Sequence, residues 1–377
     1  MCCKNKTNNW SWSASITGIP FCLQGIACPI LIGGIIMFSS SRRNVLRSLA
    51  AAPVVAAVGS IPGLAHAAAP EFSFKFGHNQ PVTHPLHIRA QEAANRVLAE
   101  SKGRLEVKIF PNGQMGGDND MLSQVRSGGI QMYTPASAGI STLVPVAAIN
   151  LVGFAFADYN QVWGAMDGKL GAHVRSLIEK VGLYPLERVW DNGFRQITTS
   201  GKPINAVQDM AGLKIRVPVS PLPISMFKAL GASPGSLQFA ELYTALQTKV
   251  YDAQENPLSI IQIAKMYEVQ KYCSITNHMW DGWWIVLNGR AWKELPPDLQ
   301  KILATAFNDS AVKERADIRA LNDSTISDLK AKGMVFNTTT PDSFRAALKK
   351  NGFYEEWHKK FGDEAWGILE QSVGKLS

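Results

Sequence analysis

From Glu71 onward, apolar positions first alternate and then recur at helical spacing, and this switch repeats. "FSFKFGHN" alternates at period two, the signature of a strand with one face buried. "HPLHIRAQEAANRVLAESKG" follows at helical spacing and stops at Gly103, "RLEVKIFP" returns to strand, and "DNDMLSQVRSGG" predicts a short helix ended by two glycines. "IQMYTPAS" predicts a third strand. Repeated strand–helix–strand units imply a mainly parallel sheet flanked by helices, hence an α/β fold. Such sheets take ligands beyond the carboxyl ends of their strands. "GHN", "PNGQMGGD" and "TPASAG" fall there, with polar groups in each.

A second block of the same kind begins near Arg195. "RQITTS", "GLKIRVPVS" and "VYDAQENP" predict strands or strand ends, with "SPLPISMFKALG" and "AELYTALQTK" as helices between them. In "MAGLKIRVPVS", Leu213, Ile215, Val217 and Val219 alternate with Lys214, Arg216 and Pro218. Arg216 therefore shares the polar face with Lys214, and the local pattern fits either a solvated edge or an anion clamp in a cleft. After "WWIVLN", no proline interrupts the chain from Asp298 to Lys332. A helix of that span would run roughly 50 Å at about 1.5 Å per residue, long enough to brace two lobes.

Length and charge narrow the class. The 377 residues are 46% hydrophobic and 18% charged, an ordinary soluble composition with room for two packed domains. The formal charge of +8 is concentrated at one end: residues 1–67 hold Lys4, Lys6, Arg42, Arg43 and Arg47 and no acidic residue, leaving 33 basic against 30 acidic, or +3. A nucleic-acid footprint in the body is therefore not expected.

"SRRNVLRSLAAAPVVAAVGSIPGLAHA" has paired arginines, an apolar Ala/Val-rich segment and a small-x-small end at Ala65-His66-Ala67. It predicts an export signal cleaved near Ala67, twin-arginine-like in pattern, with a general secretory signal as the alternative. Upstream, Ile16 to Phe38 carries no charge and is long enough to span a bilayer. Because a complete signal starts at Met37, translation from Met37 is expected; a membrane anchor and a lipid attachment at Cys28 are the rivals. Cys2, Cys3, Cys22 and Cys28 all precede the cleavage point, so the exported chain keeps only Cys273 and has no internal disulfide. Cys273 is expected to be a small core residue rather than a nucleophile.

Enzyme signatures are scarce. There is no G-x-S-x-G, no Walker A and no H-E-x-x-H. In "GGDND", Leu122 sits where a calcium loop wants a third oxygen ligand. His78, His84 and His87 lie close together without a thiol or clear carboxylate partner, so helix-start contacts and loop hydrogen bonds are expected of them. No cofactor and no metal are expected. An exported hydrolase or isomerase using His78 or Asp118 stays as a rival, weakened by the missing nucleophile–base motif.

What remains is a set of polar and aromatic groups near strand ends. "GFRQITTSGKPINAVQDMAGLKIRVP", "LGASPGSLQFAELYTALQTKVYDAQENPLSIIQ" and "YEVQKYCSITNHMWDGWWIVLN" resemble the solute-binding proteins of tripartite ATP-independent periplasmic (TRAP) transporters, the DctP-like family. The similarity runs from about Phe72 to the C-terminus. The resemblance implies a two-lobed periplasmic-binding-protein fold with lobe I at 70–193 plus 282–321 and lobe II at 194–281 plus 322–377. It also implies hinge closure around a small carboxylate, and TRAP membrane subunits as partners of a periplasmic protein. A monomer is expected, and a ligand sensor feeding a receptor would share the fold.

By position in these motifs, Arg216 corresponds to the arginine that grips the substrate carboxylate. The chemistry agrees, since a planar guanidinium matches a carboxylate with two parallel N–H bonds. Asn256 of "QENP" corresponds to an accompanying amide donor. Arg195 corresponds to a second basic residue facing the ligand, and Phe239 to an aromatic beside it. Asn79 and Asp118 match loop positions that contact ligand hydroxyls in some members. Departures are Ala253 and Lys249 where glycine is common, and Ala136 and Ser137 where sialic-acid-binding members carry a glutamate. Trp280, Trp283 and Trp284 crowd one segment; Trp283 and Trp284 are expected to wall a pocket for a small hydroxy, keto or aromatic monocarboxylate. Strand alternation offers the rival that two of the three are core.

Overall fold

Two β-sheets organise residues 69–376, the part of the chain that the computed structural model describes. The expected targeting region, with Met37, Cys28 and the cleavage point at Ala67, lies outside the described residues. In chain order the strands are β1 Phe72–Gly77, β2 Leu105–Phe110, β3 Met132–Tyr133, β4 Leu183–Pro185, β5 Trp190–Thr199 and β6 Lys214–Val217. They continue with β7 Ser233–Ser236, β8 Ala253–Pro257, β9 Tyr272–Ile275, β10 Trp280–Trp283, β11 Val286–Asn288 and β12 Val335–Thr338.

The first sheet has the order β2-β1-β3-β11-β4, the second β12-β9-β5-β8-β6-β7, with β10 also paired to β5. β11 runs antiparallel to both β3 and β4, and β5 runs antiparallel to β8, β9 and β10. All other pairings are parallel. Each sheet is thus mainly parallel with one reversed strand. β5 begins just after the chain leaves the first sheet at β4, and β11 begins just after it returns from β10. The two crossovers from sheet to sheet therefore run side by side.

The local chemistry follows the expected code. Helix Pro85–Glu100 opens with proline at its first position, and the His84 ring accepts from the Leu86 N–H at 3.0 Å. Helix Asp118–Ser127 ends at Gly128, whose φ of 92° is left-handed. β1 and β2 bury Phe74, Phe76, Leu105 and Val107 beneath helix Pro85–Glu100. A fully buried ring such as Phe76 contributes about 1.5–3 kcal/mol.

The long helix runs Pro297–Ala331, within a residue of expectation. Leu299, Leu303 and Phe307 enter the core under the first sheet, while Leu329 enters the core under the second with Leu246, Leu258 and Cys273. One rigid rod is thereby anchored in both cores. Burial pushes the Cys273 thiol up, so it stays protonated and inert. The C-terminal helix Phe353–Val373 rests on helices Tyr159–Met166 and Lys169–Lys180 and also on helix Pro221–Ala229. The third and largest apolar core is consequently shared between the two sheets.

Candidate ligand-binding site

Between the sheets lies a cavity whose enclosed space is small, about 60 Å³. Most of its polar wall stands at the carboxyl ends of parallel strands. Asn79 follows β1, Asp118 opens the helix after β2, and Tyr133 ends β3. From the second sheet come Arg216 on β6, Gln238 and Phe239 just after β7, and Asn256 on β8. The crossovers close the floor with Asn192 and Arg195 on β5, and Asp281 and Trp283 on β10.

Arg216 is 2% exposed and sits on an interior strand flanked by β7 and β8, so the solvated-edge alternative is overturned. Lys214, on the same face, stays exposed because that face meets the cavity only at its Arg216 end. The guanidinium donates from Nε (2.8 Å) and Nη2 (2.5 Å) to the Leu237 carbonyl. That anchor fixes the plane of the group and leaves the Nη1 edge toward the cavity. Arg216 makes no ion pair among the described residues, and burial lowers its pKa to about 10 despite the field of Glu255.

Arg195 lines the same cavity in a different electrical state. Its Nε and Nη2 donate to the Glu255 carboxylate, Nη1 donates to Asp281 Oδ2 at 3.1 Å, and Nη2 also reaches the Glu255 carbonyl at 2.8 Å and Asn256 Oδ1 at 3.2 Å. The Glu255 carboxylate neutralises it, while burial pushes the Asp281 carboxyl up in spite of Arg195. Burial works against the Glu255 anion, but Arg195 and His278 outweigh it and hold its pKa low. Burial pushes the His278 imidazole down, so it stays neutral beside Glu255 at 3.2 Å and Thr276 at 2.7 Å. Asn256 donates Nδ2 to Gln254 Oε1 at 2.6 Å, and Gln254 in turn donates to Thr198 at 2.7 Å. A chain of buried amides thus holds Asn256 in place.

Asp118 Oδ1 accepts from Asn79 Nδ2 at 2.8 Å and from the Tyr133 hydroxyl at 3.1 Å. Burial pushes its carboxyl up in spite of these donors and of the Arg216 field. Phe239 borders the cavity from the short helix Phe239–Glu241.

Seven of the eight residues expected at the site border this one cavity; Trp284 does not. Its ring is fully buried in the shared core and its Nε1 donates to Ser137 Oγ at 3.2 Å. Consecutive side chains of an extended segment point to opposite faces, which sends Trp283 to the cavity and Trp284 away. Trp280 is also core, stacked edge-on against Trp163. His78 and His87 bond each other at 3.1 Å, and His84 caps its helix. The residues not anticipated are Tyr133, Asn192, Gln238, Glu255 and Asp281. Glu255 and Asp281 were signalled only by lying in "QENP" and "WDGWW", next to expected site positions.

Comparison with known proteins settles the family. Residues 76–360 match the family described as bacterial extracellular solute-binding protein, family 7 (DctP). The chain belongs to this DctP family of solute-binding proteins. It is 34% identical over 262 residues to the 2,3-diketo-L-gulonate-binding periplasmic protein YiaO of Escherichia coli, covering 70% of this chain and 80% of that one. It is 30% identical to the C4-dicarboxylate-binding periplasmic protein DctP of Rhodobacter capsulatus, covering 88% and 99%. The crystal structure of the sugar acid binding protein DctPAm from Advenella mimigardefordensis, in complex with galactonate, superimposes with a TM-score of 0.77 at 30% identity, covering 82% of this chain and 99% of that one. The DctP family is a solute-binding component of TRAP transport rather than an enzyme family.

Proposed function

We propose that this DctP-family protein is exported, loses its signal near Ala67, and as a monomer captures a small hydroxy- or keto-monocarboxylate for delivery to TRAP membrane subunits. The observation that carries the substrate class is the contrast between the two buried arginines. Arg195 is already neutralised by Glu255, whereas Arg216 has only a carbonyl. One uncompensated cation calls for one ligand carboxylate. A second carboxylate would find no free cation, because Arg195 is already paired with Glu255. On this reading a sugar-acid-like specificity is favoured over a C4-dicarboxylate one such as its Rhodobacter relative's name carries.

In this reading Arg216 holds the carboxylate and Asn256 offers its amide beside it. Asn79 and Asp118 meet a polar group at the far end, and Phe239 and Trp283 wall the apolar part. Titration calorimetry of the purified protein against paired mono- and dicarboxylates of equal carbon number tests it. Tighter binding of the monocarboxylates is expected, and preference for succinate or malate over the four-carbon monoacids would overturn it.

A further inference from the structure

Two buried side chains on the cavity floor each carry one polar atom with no hydrogen-bond partner among the described residues: Asn192 Oδ1 and Trp283 Nε1. The residues are 3% and 4% exposed. An unmatched buried acceptor and an unmatched buried donor are each costly, and both residues border the cavity. The geometry around Asn192 is specific. Asp281 pairs with Gly193 and Gly282 with Asp191, so Asn192 is the extra residue of a β-bulge on β5. Bulges re-aim side chains, and this one stands at the site. Asn192 Nδ2 donates to Asp281 Oδ2 at 3.3 Å, which identifies the other amide atom as the oxygen. Trp283 pairs with Trp190, two residues before Asn192. Asn192 is tied to Asp281, which lies two residues before Trp283 on β10, and all three residues line the cavity.

We propose that Asn192 and Trp283 form a hydroxyl-reading subsite of the carboxylate cavity. An alcohol oxygen both accepts and donates a hydrogen bond. It would accept from the Trp283 indole N–H and donate to Asn192 Oδ1, matching both atoms at once. A keto oxygen matches only the indole, and a methylene matches neither. The subsite rests on the monocarboxylate reading above and adds an order to it: hydroxy acid first, keto acid second, deoxy acid last.

Calorimetric titration with lactate, 2-hydroxy-3-methylbutanoate, erythronate and galactonate, each against its deoxy counterpart, tests the subsite in the wild type, Trp283→Phe and Asn192→Ala. In the wild type at least one hydroxy acid should bind about tenfold to a hundredfold more tightly than its deoxy partner. Trp283→Phe keeps an aromatic ring but removes the indole N–H together with part of the ring; it should erase most of that ratio. Asn192→Ala, checked for folding by circular dichroism, should do the same. Wild-type protein that binds no acid of the set would overturn the carboxylate reading itself. Binding in which hydroxy and deoxy partners are equal, or in which both variants weaken both partners alike, would leave that reading standing and overturn the subsite.

Discussion

Replacing Arg216 with methionine should remove ligand binding and leave the fold nearly as stable as before. The magnitudes come from its surroundings. Burial holds the guanidinium at about 10, against an ordinary 12.5, which amounts to about 3 kcal/mol against keeping the cation there. Methionine relieves that cost. It also strips the Leu237 carbonyl of both its guanidinium donors, a loss of about 1–3 kcal/mol. The two effects nearly cancel, so the melting temperature should move little. Binding has no such compensation. Losing a desolvated charge partner costs about 2–5 kcal/mol, or roughly thirtyfold to several thousandfold in affinity. Arg216→Lys should also fail, because an ammonium neither lies flat on Leu237 nor offers a planar fork. Titration calorimetry with the tightest acid of the wild type, beside thermal unfolding, gives both numbers. Arg216→Met protein that is folded and binds within threefold of wild type would refute the assignment. A steep loss of stability would show that Arg216 is held for structure instead.

Trp284→Ala should cost about 3–5 kcal/mol of stability with ligand preference unchanged; Trp283→Ala should change the ranking of acids, and an unchanged ranking in both variants would remove the aromatic wall. Asp191 is fully buried beside Glu314 and Tyr159, and burial raises its carboxyl to about 7. The native state then keeps a proton that the unfolded chain releases, so this contribution is complete below about pH 4 and is lost as pH rises to about 7, with the raised Glu314 acting in the same direction. Asp191→Asn should gain stability relative to wild type as pH climbs through that window, and parallel melting profiles would refute the argument. Mass spectrometry of periplasmic protein should find an N-terminus within a few residues of Ala68, whereas intact chain recovered only from membranes would favour an anchor at Ile16–Phe38.

The sheets were legible because period-two and period-3.6 patterns alternate cleanly from Phe72 onward, and the long helix because nothing interrupts it. The reversed strands were not. β5 and β11 are buried along almost their whole length, and direction is set by where the chain enters the sheet, which pattern does not record. Arg216 and Asn256 were placed by the motifs "LKIRVP" and "QENP", and both border the cavity. The site was illegible where the outcome depends on partners from distant segments. Arg195 and Arg216 look equivalent in sequence, yet Glu255, 60 residues on from Arg195, and Asp281, 86 residues on, bond only the first. Trp283 and Trp284 are chemically the same and adjacent. Only their opposite faces, one toward the cavity and one toward the shared core, tell them apart.

The position of the bulge ties these facts together. Without the extra residue at Asn192, the β5–β10 ladder would keep strict alternation. The same Asp281 that orients the Asn192 amide also accepts from Arg195. One carboxyl group therefore ties the bulge to the second arginine of the cavity. Because β5 and β10 are also the strands by which the chain crosses between its sheets, Asn192 and Trp283 sit where the two sheets are joined, while Arg216 and Asp118 line the cavity from one sheet each. A ligand long enough to touch all three places is held by both lobes and by the connection between them.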